Sequence, residues 1–280
     1  MLLETAIGDA YGAGLEYVSP RLVRENNNLK AYGQHPRHRI KPGCYTDDAQ
    51  MSIAVAEALV DGVAWTRENL ADYFVRAFKR DPREGYANSF YHFLKKIEDG
   101  AEFLAKIRPH SDKSGAAMRA APMGVLDSPG KVIEYATVQS KLTHDMVDGI
   151  NAGCAAALMS HYFLYGQGPK ADLGRFLEGL VPGQWNVPWS GKVGGKGWMS
   201  TRAAITALMQ HDRMSELLVA CVNYGGDVDT VAAIALGPAA CCDEIEQDLP
   251  DNLLNDLENG DYGRDYIREL DCGLLALVAA

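Results

Sequence analysis

Apolar residues recur along this chain at the three- and four-residue spacing of amphipathic helices. Behind Thr46-Asp47-Asp48, the residues Met51, Ile53, Val55, Ala56, Leu59 and Val60 fill one broad side of a helix that ends near Gly62. Thr66 reads as an N-cap for Leu70, Tyr73, Phe74 and Phe78. Tyr86, Phe90, Phe93, Leu94 and Ile97 form another stripe, and Ser128-Pro129 reads as N-cap and first helical residue for Val132, Ile133 and Ala136. The Ala-rich run from Asn151 to Leu164 predicts a buried helix whose small residues permit close packing. Further helices fit 170–180, 199–210, 213–223, 229–241, 251–258 and 264–278. Alternating strands joined by hairpin turns are absent. The pattern predicts an all-α fold, a single domain over residues 1–280.

Two stretches break this pattern. Residues 18–45 carry Asn26-Asn27-Asn28, Gly33, Pro36, Pro42, Gly43 and several basic side chains. Residues 182–197 hold five glycines and two prolines in sixteen positions. A loop that long inside a domain is usually functional or mobile. Its Lys192, Gly194-Gly195 and Lys196 lack the spacing of a P-loop and no strand precedes them, which excludes a nucleoside triphosphatase reading.

Composition narrows the classes. With 47% hydrophobic residues the 280-residue chain can bury a large core without staples. Its formal charge of −10 argues against nucleic acid as partner and is compatible with cation capture. Cys44, Cys154, Cys221, Cys241, Cys242 and Cys272 show no zinc spacing and read as reduced thiols. With no leader and no membrane-length apolar run, a soluble cytoplasmic protein with no membrane association is expected.

The candidate chemistry lies in three acidic clusters flanked by glycine, where the helical pattern breaks. They are Gly8-Asp9-Ala10-Tyr11-Gly12-Ala13-Gly14-Leu15-Glu16, Tyr45-Thr46-Asp47-Asp48-Ala49-Gln50 and Gly225-Gly226-Asp227-Val228-Asp229-Thr230. Either of the last two alone fits helix capping. Together they place two pairs of carboxylates and two threonine hydroxyls at helix starts. On a regular helix residues i and i+2 point about 200° apart. Asp227 and Asp229 therefore converge only if the backbone turns, which Gly225-Gly226 permits. Carboxylates clustered without His or Cys suit a hard cation such as Mg²⁺ or Mn²⁺. Two clusters and a glutamate suffice for a two-metal centre.

In these residues the chain resembles the ADP-ribosylglycohydrolases. Gly8-Asp9-Ala10-Tyr11-Gly12 matches their N-terminal element, and Glu16 falls where they carry a metal-facing glutamate. Thr46-Asp47-Asp48 and Gly226-Asp227-Val228-Asp229-Thr230 match the two metal-binding motifs. Ser114-Gly115-Ala116-Ala117-Met118-Arg119 resembles the segment wrapping the ADP-ribose diphosphate, and Thr143-His144 a pair near the substrate cleft. The motifs keep the family's order from Ile7 to about Gly237. Two departures are Ala49, where the family often has Thr, and Lys113-Ser114-Gly115, where it usually has Gly-Asn-Gly.

The resemblance implies a binuclear metal centre between helix N-termini and hydrolysis of the bond between ADP-ribose and an acceptor. The acceptor would be a protein side chain such as arginine, or a small ADP-ribosyl metabolite. It assigns Thr46, Asp47, Asp48, Asp227, Asp229 and Thr230 to two divalent cations, Mg²⁺ or Mn²⁺. Glu16, Asp48 and Asp229 are the catalytic candidates, their roles unseparated. Ser114, Gly115, Met118, Arg119 and His144 are the substrate-binding candidates. Asp9 fits a structural brace as well as a place behind the metal ligands. Trp185, Trp189 and Trp198 fit adenine stacking and burial equally. The competing readings are an inactive ADP-ribose-binding module and a crystallin-like structural relative, and the intact acidic motifs favour the enzyme.

Overall fold

The computed structural model describes residues 1–278. Fifteen α-helices follow in chain order: α1 Leu2–Ala13, α2 Pro20–Asn26, α3 Asp47–Val60, α4 Arg67–Arg80, α5 Asn88–Lys96, α6 Gly100–Lys106, α7 Gly115–Met118, α8 Pro129–Lys141, α9 Val147–Leu164, α10 Leu173–Glu178, α11 Gly197–Gln210, α12 Met214–Asn223, α13 Val228–Ala239, α14 Asp251–Asp256 and α15 Arg264–Ala276. Among the described residues there is no β-sheet, only isolated bridges. No helix of these residues is long and apolar enough to cross a membrane.

The centre of the molecule is α13, every residue of which is buried. It lies against α1, α11 and α12, while α3 packs on α4, α15 and α1, and α9 on α8, α11 and α7. The caps at Thr66 and Ser128 form as the sequence predicts: their hydroxyls accept from the Asn69 and Lys131 amides at 3.3 and 3.4 Å.

Two expectations are corrected. The Gly8–Gly12 segment does not interrupt a helix but lies inside α1. A Cβ at Gly8 would sit 2.8 Å from the Ala232 carbonyl, and one at Gly12 would sit 2.4 Å from the Asp229 Cα. These glycines therefore let α1 and α13 touch backbone to backbone, a contact that no local propensity scale registers. The 18–45 stretch also contains a helix, α2, started by the Ser19 hydroxyl and Pro20. It buries only Val23 and so shows no apolar stripe.

The 182–197 loop is fastened at several points. Trp185 is buried and its indole donates to the Val181 carbonyl at 3.0 Å. Trp189 and Trp198 meet edge to face with centroids 5.8 Å apart. The Val193 amide donates to the Gly225 carbonyl at 3.0 Å, and the Val193 carbonyl accepts from the Asp227 amide at 3.2 Å. This loop is thus a strut behind the second acidic motif.

Candidate metal centre

Asp9 enters the site from the middle of α1 and is fully buried. Its carboxylate accepts from the Thr46 amide at 2.8 Å, the Thr46 hydroxyl at 2.7 Å and the Ala49 amide at 2.9 Å. The Ala49 amide that Thr46 would otherwise cap, and the amide of Thr46 itself, are thereby satisfied from another helix, and Thr46 makes no side-chain cap of its own. Asp9 is a brace for α3. The loop before α3 is clamped by Arg83, which donates to the Tyr45 carbonyl at 3.0 Å, pairs with Glu258 and lies 3.5 Å above the Tyr45 ring.

The second motif is shaped by backbone. Gly225 and Gly226 adopt φ of 69° and 94°, and a Cβ at Gly226 would fall 1.8 Å from the Val193 carbonyl oxygen. That left-handed turn brings Asp227 and Asp229 to the same side, the convergence the sequence requires. The Ser200 hydroxyl reaches Asp227 at 3.4 Å, and Asp229 accepts from the Thr230 amide at 3.0 Å.

The carboxylates gather in two overlapping groups. Asp9, Asp48 and Asp229 each offer an oxygen within 4.8 Å of the others, and so do Glu16, Asp227 and Asp229. Asp229 is shared. Asp48 Oδ1 is buried without a hydrogen-bond partner. Burial, compounded by neighbouring carboxylates, holds Asp47, Asp48 and Asp229 well above the usual carboxylate range. Burial likewise pushes Asp9 up to about 6 and, together with Glu16, Asp227 up to about 7. A set of oxygen donors that resists ionisation together and leaves a lone pair unmatched fits a hard divalent cation.

Glu16 behaves differently. Burial pushes its carboxyl up, but hydrogen bonds and charge from His35 and Arg37 outweigh that and hold it low. His35 Nδ1 accepts the Arg37 and His38 amides, each at 3.0 Å, so the ring proton sits on Nε2 and is donated to Glu16 Oε2 at 2.9 Å. Arg37 approaches the same oxygen at 3.1 Å. Sequence reasoning missed both residues; the run of basic side chains between 35 and 39 was their only trace.

Asp47 belongs to neither carboxylate group, its Oδ1 facing Gly85, where a Cβ would come within 2.5 Å. Thr230 is buried beside Asp48. Ser114 lies beside Asp227. The His144 ring packs on Gly115, whose missing Cβ would stand 2.7 Å from Cε1. The Met118 carbonyl accepts from the Ser52 hydroxyl at 3.1 Å, tying α7 to α3.

Arg119 requires a correction. It is 1% exposed, donating to the Gln139 side chain at 2.7 Å and to the Thr143 hydroxyl at 2.8 Å. Thr143 spends its own proton on His144 Nδ1 at 2.7 Å. Burial, reinforced by the Arg119 charge, drops His144 to about 3, so it is neutral with its proton on Nε2. Arg119 orients His144 through Thr143, and the helix-end position that suggested a diphosphate contact is in fact inside the core.

The family model described as ADP-ribosylglycohydrolase matches residues 1–279. The chain is 25% identical to the ADP-ribosyl-[dinitrogen reductase] glycohydrolase of Rhodospirillum rubrum over 98% of this chain and 94% of that one. It is 23% identical to the ADP-ribosylarginine hydrolase Tri1 of Pseudomonas putida over 84% and 67%. The 29% identity with ADP-ribosylhydrolase ARH3 of Xenopus tropicalis covers only 48% of this chain and 41% of that protein. A solved structure titled ADP-ribosylglycohydrolase-related protein complex superposes with a TM-score of 0.74 over 99% of this chain and 95% of that chain, at 23% identity, and so shares the fold. The chain belongs to the ADP-ribosylglycohydrolase family of hydrolases.

Proposed function

We propose that this chain is a divalent-cation-dependent hydrolase that cleaves the glycosidic bond between ADP-ribose and an acceptor, either a protein side chain such as arginine or a small ADP-ribosyl metabolite. The observation that carries this reading is the pair of carboxylate groups sharing Asp229, with Asp48 Oδ1 buried and unmatched. Asp48, Asp227 and Asp229 would hold the cations, with Thr46, Asp47 and Thr230 beside them. Bound there, Mg²⁺ or Mn²⁺ supplies neutralisation of the carboxylates and polarisation of oxygen ligands. Glu16, kept anionic by His35 and Arg37, faces the cluster as a proton acceptor for water. As the bond to the acceptor breaks, positive charge develops on the ribose, and buried carboxylates stabilise it. The water oxygen bonds to the anomeric carbon, one water proton passes to Glu16 Oε1, and the acceptor leaves with the bonding pair and takes up the proton that Glu16 gives back, which restores the carboxylate. His144, neutral, holds its Nε2–H donor beside Gly115 at the start of α7.

The test is release of ADP-ribose from arginine-, serine- and acetyl-linked substrates, run with Mg²⁺, with Mn²⁺ and with chelator. Release on at least one linkage, lost in chelator and in a folded Asp229→Ala variant, is expected. Undiminished release in that variant, or in chelator, overturns the reading.

A further inference from the structure

Beside the carboxylate cluster, cationic side chains gather around Tyr17. Tyr17 follows Glu16 with φ of 50°, anchored by its amide to the Gly226 carbonyl at 2.9 Å. Its phenol faces Asp227, Glu16 and Asp229. Around its ring stand Arg37, with Cζ 5.0 Å from the centroid, and Lys192, with Nζ 5.3 Å from it. Lys113 arrives from the segment before α7. Its Nζ and the Tyr17 hydroxyl lie 3.9 and 3.8 Å from the point where Gly195 would carry a Cβ, so all three meet at one place.

The backbones bearing the two lysines are fixed. Lys113 bridges Lys196, the Gly197 amide donates to the Asp112 carbonyl at 3.0 Å, and Val193 is bonded to both Gly225 and Asp227. Neighbouring cations have partners: Lys196 pairs with Asp112, and Arg37 with Glu16. Among the described residues Lys113 and Lys192 are in no ion pair at contact distance; Lys113 acts on the Asp227 and Asp112 carboxylates only through space. Both are exposed, above buried carboxylates. Two exposed ammonium groups, each beside the Tyr17 side chain, suit the peripheral oxygens of a phosphate rather than a cationic or apolar group.

We propose that Lys113 and Lys192 are specificity-determining residues that hold a phosphoanion of the substrate at the Tyr17 mouth of the cluster. This inference rests on the hydrolase reading only for the identity of the substrate. Its consequence is that recognition depends on ionic strength and on the charge of the ligand at that end.

The experiment compares wild type, Lys113→Gln, Lys192→Gln and the double variant, with Lys131→Gln on α8 as a remote charge control. Binding of ADP-ribose and of inorganic pyrophosphate is measured by calorimetry at several salt concentrations, and KM and kcat are measured on the substrate that is turned over. Each single variant is expected to weaken ADP-ribose by about five- to tenfold and the double variant by about 30- to 100-fold. The losses should fall on KM rather than kcat, and the salt dependence should flatten. Lys131→Gln should bind as wild type does. A double variant with wild-type affinity and KM overturns the proposal, as does Lys131→Gln matching the rim variants. Lysine-dependent binding without turnover on any linkage would support the rim and sink the hydrolase reading, so the two failures are distinct.

Discussion

Asp9 offers a measurement of how far one helix is held by another. In Asp9→Ala the Thr46 and Ala49 amides lose their acceptor inside the protein, while the Thr46 hydroxyl can turn elsewhere. A buried donor left unmatched costs about 1–3 kcal/mol, so the two amides together cost about 2–6 kcal/mol. Asp9→Asn is different. Its carbonyl oxygen can keep both amides, and its NH₂ can donate to the Thr46 hydroxyl, which reverses its role from donor to acceptor. The exchange of a charged for a neutral acceptor weakens each bond, but a negative charge beside Asp48 and Asp229 disappears, so the net change is within about 1 kcal/mol. At roughly 2 °C per kcal/mol for a chain of this size, Asp9→Ala should melt about 4–12 °C below wild type and Asp9→Asn within about 2 °C of it. Thermal melts in chelator measure this without cation linkage. If Asp9→Ala melts with Asp9→Asn, Asp9 is not what caps α3, and the bracing role fails.

Three further outcomes follow from the geometry. Arg119→Met should lower stability by about 1–3 kcal/mol in urea melts, because it leaves the Gln139 acceptor buried and unmatched; unchanged stability with weakened ADP-ribose binding would instead return Arg119 to the substrate. Asp9 and Asp227 have native pKa values of about 6 and 7, above their unfolded values, so the native state holds their protons longer; in chelator stability should fall as pH rises from about 4 to 7. Saturating Mg²⁺ should reverse that slope, and a chelator profile that rises over this window would refute it. Gly226→Ala should cost more than about 3 kcal/mol, as a methyl there meets the Val193 carbonyl, and chymotryptic cleavage within 182–197 should accelerate; wild-type resistance would show the strut to be dispensable.

Legibility from sequence divided along the line between local and long-range causes. The starts of α4 and α8 were readable because Thr66 and Ser128 act within one turn. The body of α9 was readable because its small apolar residues repeat. By contrast α1 was hidden: Gly8 and Gly12 look like breakers, and their purpose is contact with Ala232 and Asp229 more than two hundred residues away. The acidic motifs were visible as composition flanked by glycine. The grip of His35 and Arg37 on Glu16, and of Asp9 on α3, was not, since each joins segments with no shared periodicity. Arg119 misled because residue type and position at a helix end say nothing of which way the side chain is buried.

The glycine face of α1 also acts as a gauge. Asp9 and Asp229 stand on two helices whose separation is set where Gly12 meets the Asp229 Cα, with no side chain between them. Widening that gap by one methyl would spread the oxygens that face each other across it. Mg²⁺ holds its oxygens at about 2.0–2.1 Å and Ca²⁺ at about 2.3–2.6 Å, so a few tenths of an ångström separate the two ions. On the proposed cation reading, the size of ion the cluster admits would be set by residues that never touch it. Any side chain at position 12 would force the two helix backbones apart and so disturb the cluster with every carboxylate in place.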